Sequence, residues 1–179
     1  MLPAILLIAA CLIAGLLVLI WMQPADFAVS RTAVMGAPPG RVHAEVNDFK
    51  RWRAWSPWET VDPDLHRTYA GPPEGPGAVY EWSGNNKAGK GRMTITDSKP
   101  GERILIHLEF TAPMKATNTT EFRFAPENGG TRVTWTMRGH NANLLSKAFS
   151  LFFGMDKMVG GSFEQGLANM RNVVEADSA

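Results

Sequence analysis

Residues 103–138 read RILIHLEFTAPMKATNTTEFRFAPENGGTRVTWTMR, and the period of that stretch decides the fold. In Arg103–Phe110 one face carries Ile104, Ile106, Leu108 and Phe110, and the other Arg103, Leu105, His107 and Glu109. In Thr117–Phe124 the inward set is Asn118, Thr120, Phe122 and Phe124; in Thr131–Arg138 it is Val133, Trp135 and Met137. A period of two with turn residues between the runs predicts consecutive strands. Short links such as Asn128-Gly129-Gly130 require antiparallel pairing, and one polar face means a sheet covered on one side.

The pattern continues upstream. Gly77–Ser83 places Tyr80 and Trp82 on one face, Gly91–Asp97 places Met93 and Ile95 there, and a shorter strand is expected near Leu65–Tyr69. Asp26–Val34 reads as the first strand. Two short helices should follow it, over Arg41–Asp48 and Phe49–Trp58, the second stopped by Ser56-Pro57. Downstream, Leu145, Phe149, Phe152, Val159, Phe163, Leu167, Met170 and Val174 recur at steps of three, four or seven. They form one stripe of a long amphipathic helix that would cover the sheet. Gly160-Gly161 is expected either to kink this helix or to let its backbone approach the sheet closely. The fold class is therefore α+β, a curved antiparallel sheet with one long C-terminal helix across it.

Residues 2–22, LPAILLIAACLIAGLLVLIWM, carry no charged side chain. A helix of that length spans roughly 30 Å, the apolar thickness of a bilayer. It is expected to be an uncleaved single-pass anchor, residues 1–24, followed by a domain of residues 25–179. The rival is a cleaved signal peptide, whose apolar region should be shorter and should follow basic residues. Arg31 and Arg41 on the C-terminal side lean towards a cytoplasmic domain.

Composition excludes several classes. The 18 Lys+Arg against 17 Asp+Glu give no basic excess for nucleic acid. The single cysteine, Cys11, cannot form an intramolecular disulfide or a thiolate metal cluster. The four histidines, His43, His66, His107 and His140, share no metal-ligand spacing and read as surface or loop residues. Gly84-Asn85-Asn86-Lys87-Ala88-Gly89-Lys90-Gly91 resembles a phosphate-binding loop, but it ends on glycine instead of Ser or Thr and joins two strands, so it reads as a basic hairpin tip. No cofactor, metal or catalytic residue is expected.

Several runs resemble one family. Val46-Asn47-Asp48-Phe49 with Trp52 and Trp55-Ser56-Pro57-Trp58 looks like the helix-pair signature of the polyketide cyclase/dehydrase branch of the START-like (SRPBCC) superfamily. Tyr80-Glu81-Trp82-Ser83-Gly84-Asn85, Gly89-Lys90-Gly91-Arg92-Met93, Thr131-Arg132-Val133-Thr134-Trp135 and Met155-Asp156-Lys157-Met158 are similar as well. The resemblance implies a helix-grip fold over residues 26–175, with an apolar cavity between sheet and helix.

On that footing the expected ligand-binding residues are Tyr80, Trp82, Met93, Asn118, Thr120, Trp135, Met137 and Phe163. A filled core is the competing reading of the same positions. The expected partner is a hydrophobic small molecule or lipid, held by a membrane-tethered carrier or sensor. A cyclase/dehydrase-like enzyme and an accessory subunit of a membrane complex are the alternatives. Glu81, Glu109 and Glu121 alternate outward, which leaves Tyr80 as the one candidate proton donor. Trp52, Trp55 and Trp58 are expected to cap the open end of the sheet.

Overall fold

The computed structural model describes residues 2–140 and 144–176, without the side chains at positions 145, 149, 150, 152 and 153. Stripe positions Leu145, Phe149 and Phe152 therefore lie outside the described side chains.

Helix α1 (Leu2–Trp21) precedes strand β1 (Asp26–Met35) and helix α2 (Pro39–Asn47). Pro39 sits at the start of α2, where a missing N–H costs nothing. The expected second helix is instead two single turns, Arg51–Ala54 and Pro57–Thr60. The reason is Pro57, which holds Ser56 extended (ψ 123) and interrupts any continuous helix. Six strands follow: β2 (His66–Ala70), β3 (Val79–Ser83), β4 (Lys90–Lys99), β5 (Arg103–Ala112), β6 (Ala116–Glu127) and β7 (Gly130–His140). All seven strands pair antiparallel in one sheet, in the order β1-β7-β6-β5-β4-β3-β2.

The C-terminal part is two helices, α3 (Leu144–Phe153) and α4 (Met155–Ala176). The break lies at Gly154, whose φ of 67 is a left-handed conformation that glycine adopts without penalty. Gly160 and Gly161 stay helical. Gly160 has another use: a Cβ there would collide with Arg31 of β1.

The apolar residues of α4 face the sheet, with Phe163, Leu167, Met170 and Val174 buried. They join Val29, Met35, Ile95, Ile104, Ile106, Phe122 and Val133 in one core. Polar contacts from β1, the Gly36 backbone and Trp55 also hold α4 in place. Arg31 donates to both carboxylate oxygens of Asp156 (2.8 and 2.9 Å) and to Glu164 (2.6 Å). The Gly36 N–H donates to Glu175 (2.7 Å), and Asn169 donates to the Trp55 carbonyl (3.1 Å). Helix α1 touches the rest of the chain through α3, and Lys147 Nζ donates to the Trp21 carbonyl at its C-terminal end (3.1 Å).

Candidate functional site

Strand register gathers seven of the eight expected binding residues on the inner face of the sheet. Tyr80 pairs with Met93, Met93 with Leu108, Leu108 with Asn118, and Asn118 with Gly139, which makes one row across five strands. Thr120 and Met137 occupy the next row beside Ile106; Phe122 and Trp135 occupy the one after, beside Ile104. Trp82 pairs with Gly91 at the other side of the first row. Phe163 comes from α4 and stacks on Trp135 at 4.2 Å with an interplanar angle of 5°.

The space between α4 and the sheet is filled around Trp135. Its ring lies between Phe122 (4.7 Å) and Phe163, with Trp55 and Trp58 edge-on at 5.7 and 5.5 Å. Trp52 and Trp55 are core residues, and Trp58 remains partly exposed. Their indoles are satisfied differently. Trp52 donates to the Val46 carbonyl, Trp55 to the Glu45 carbonyl and Trp82 to the Ala88 carbonyl. The buried Trp135 N–H has no hydrogen-bond partner among the described residues.

Two further polar groups on this face are unspent. Asn118 and Thr120 are buried, yet their side chains form no hydrogen bond among the described residues. The residues are buried, but their side-chain polar atoms keep contact with solvent. Glycines make room here: a Cβ at Gly139 would collide with Asn118 and Phe27, and one at Gly91 with Trp82. Burial falls along the face. Ile104, Phe122 and Trp135 are sealed, while Phe27, Trp82 and Phe110 are only partly covered. The apolar face is thus least covered towards the end where β1 begins and β7 ends.

Glu59 was missed by the sequence reading. It is buried, accepts from the Tyr80 hydroxyl (2.7 Å) and from Arg67 Nε (2.6 Å), and its backbone carbonyl takes a further Arg67 hydrogen bond (2.9 Å). Burial, then the hydrogen bond to Glu59 and its charge, pushes the Tyr80 phenol far above its ordinary range. Tyr80 is therefore held protonated and is a poor proton donor. Tyr69 stacks on Tyr80 at 5.2 Å, its hydroxyl buried and unpartnered, and its pKa is also raised, by burial and then by Glu59. No sequence spacing marks Glu59, since its partners lie 8 and 21 residues away on different strands.

Glu121 keeps its expected outward face, while His43 departs from its expected place. Glu121 is on the outer face but buried, beneath Arg123 (2.7 Å) and Arg138 (3.1 Å). Burial alone would raise its pKa, but the two arginines hold it below the usual carboxylate range. His43 is buried rather than superficial: its Nε2 lies 3.0 Å from Ser98 Oγ, and Ser98 donates to Asn47 (2.7 Å).

Among the described residues no group of three His, Cys, Asp or Glu side chains could hold a metal ion. Two concavities stand out, and neither is bounded by α4. One is an open trough of about 520 Å³ over the β2–β4 surface, with His66, Glu81, Arg92 and Glu109 along it. The other is a cleft of about 190 Å³ beside Phe49, Tyr69 and Pro72.

The sequence profile of the polyketide cyclase/dehydrase and lipid transport family matches residues 26–175. The chain belongs to this family. As a member of the polyketide cyclase/dehydrase and lipid transport group, it shares its fold with several solved structures. Protein CV1439 from Chromobacterium violaceum is 18% identical, with 83% of this chain and 96% of that one covered, at a TM-score of 0.59. SA2116 from Staphylococcus aureus is 13% identical, covering 86% and 96%, at 0.62. Ara h 8.0201 is 12% identical, covering 84% and 99%, at 0.56. Identities this low establish the helix-grip fold alone. No curated protein matches the chain.

Proposed function

We propose that this family member is a membrane-tethered carrier or sensor that binds a hydrophobic small molecule or lipid on the inner face of its sheet. The observation that carries the reading is the pair Asn118 and Thr120, two unspent polar groups in an apolar face that is least covered at one end. An apolar site with a few orienting polar groups is the usual form of a small-molecule site. The driving term is removal of apolar ligand surface from water, about 25 cal/mol per Å². Tyr80, Trp82, Met93 and Met137 supply the apolar contacts, beside the closed Trp135–Phe163 stack. The family description includes lipid transport, in keeping with such a ligand.

The tether is α1, 20 residues long, apolar enough to cross a bilayer and buried only at Ile20. It places the domain beside membrane-dissolved ligands, on the cytoplasmic side in this reading. Mass spectrometry of the natively purified full chain tests the proposal. The expected result is a co-purifying hydrophobic molecule, with a raised melting temperature when it is added back. A ligand-free spectrum together with no thermal shift across a lipid panel overturns the reading.

The Glu59–Tyr80–Arg67 cluster favours a second reading, cyclase/dehydrase-like catalysis on an apolar substrate, because it sets a carboxylate inside the fold. Turnover that survives Tyr80→Phe and disappears in Glu59→Gln would assign the chemistry to Glu59. Turnover unaffected by either substitution rules the cluster out.

A further inference from the structure

The strand register collects one end of the domain around the exit of α1. Asp26 pairs with His140, Phe110 with Ala116, Lys90 with Ala112 and Ser83 with Lys90, so the start of β1, the end of β7, the β5–β6 turn (113–115) and the β3–β4 turn (84–89) lie at the same edge. Helix α3 starts there and packs on α1. Only residues 22–25 separate α1 from β1, so Asp26, at this edge, lies within about 20 Å of the end of the span.

This end has a distinctive surface. Met114 is exposed at the tip of the β5–β6 turn, and Leu144 and Leu151 are exposed on α3. Lys87, Lys90 and Lys115 are exposed around them and form no ion pair among the described residues. The acidic side chains nearby are mostly engaged: Asp26 with His140 (2.7 Å), Asp156 with Arg31 (2.8 Å), and Asp62 with the backbone N–H groups of Asp64 and Asn85. Asp64 is an exposed carboxylate at the approach to β2, and Glu81 and Glu109 share the trough with Lys90, set against Arg92 and His107 (both 3.6 Å). At the far end charge is mixed: the β4–β5 turn carries Lys99 beside Glu102, and Glu127 pairs with Arg132.

We propose that this end is a docking face for an anionic lipid surface. Met114, Leu144 and Leu151 enter the interface, and Lys87, Lys90 and Lys115 sit over the headgroups. Apolar side chains ringed by lysines suit the charged membrane–water boundary. Docked in this way, the partly covered Phe27, Trp82 and Phe110 face the bilayer, and a lipid could pass into the fold without crossing water. The proposal rests on the tethered reading of α1.

The test uses the full chain with Cys11→Ser, reconstituted in phosphatidylcholine vesicles with and without phosphatidylglycerol. Single cysteines replacing Met114, Leu151 or, as the far-end control, Glu102 carry a polarity-sensitive fluorophore. The expected result is blue-shifted emission at 114 and 151 that deepens with phosphatidylglycerol, and aqueous emission at 102. Combining Lys87→Glu, Lys90→Glu and Lys115→Glu should reverse the deepening, each reversal changing the charge by two and weakening docking roughly thirtyfold at low salt. Aqueous emission at 114 and 151 in a chain that resists alkaline extraction overturns docking but leaves the anchor standing. Extraction by alkali overturns the anchor. A shift indifferent to phosphatidylglycerol, or present only in detergent at high protein concentration, overturns the recognition of anionic lipid.

Discussion

Tyr80 shows how one hydroxyl ties distant segments together. Its O–H joins β3 to the Pro57–Thr60 turn through Glu59, and Arg67 of β2 completes the cluster. Tyr80→Phe removes the donor and leaves one oxygen of a buried carboxylate unpaired. The expected loss is about 1–3 kcal/mol of unfolding free energy, read as a lower urea midpoint at an unchanged m-value. His43 acts through pH. Burial, partly opposed by Glu74, holds its pKa below the ordinary histidine range. Above about pH 6.5 both folded and unfolded states carry a neutral imidazole, and the group contributes no slope. As pH falls below that value the unfolded chain takes up the proton first, so stability declines until the folded imidazole also protonates. His43→Gln keeps a donor towards Ser98 and should flatten this acid-side decline relative to wild type, measured by denaturant titrations across the range.

At the scale of the element, the glycines of α4 separate into those with a packing duty and those without. Gly166 lies against Trp135, where a Cβ would stand 2.9 Å from the ring, and 3.2 Å from Pro57. Gly161 faces open space. Gly161→Ala should stabilise by about 0.5–1 kcal/mol through helix propensity. Gly166→Ala should destabilise by about 1–2 kcal/mol, since the stacked Trp135–Phe163 pair cannot retreat without losing contact. Thermal melts of the two single variants give opposite signs if this assignment holds. In the sequence these glycines look alike, because the difference is made by a tryptophan on β7 and an arginine on β1. The strands, by contrast, were legible to within three residues at each end, since alternation is a local signal that the sheet needs only to obey.

For the whole molecule, ligand binding and folding are linked. A molecule that binds only the native state at about one hundred times its Kd adds about 2.7 kcal/mol, or roughly 5–10 °C in Tm for a domain of this size. Asn118→Leu should lower that ligand-dependent rise while leaving the ligand-free Tm equal or higher, because it removes an unpaired amide from an apolar face. A ligand-free Tm that falls by several degrees would instead make Asn118 a structural residue. Parallel melts with and without the co-purified molecule separate the two.

The periods of the chain by themselves determined the order of elements, the inward face of each strand and the apolar span at the N-terminus, because period and length are properties of neighbouring residues. The inward set Asn118, Thr120, Phe122 and Phe124 could be read from alternation alone, and all four are buried. Only the tertiary structure decided that β1 closes on β7, that Glu59 meets Tyr80 and Arg67, and that the rings of Trp135 and Phe163 fill the space under α4. It also moved the helix break to Gly154 and brought Lys87, Lys90 and Lys115 to one end. Each of these depends on side chains far apart in the chain meeting once the sheet has curled, and no local pattern encodes which partner a buried group will find.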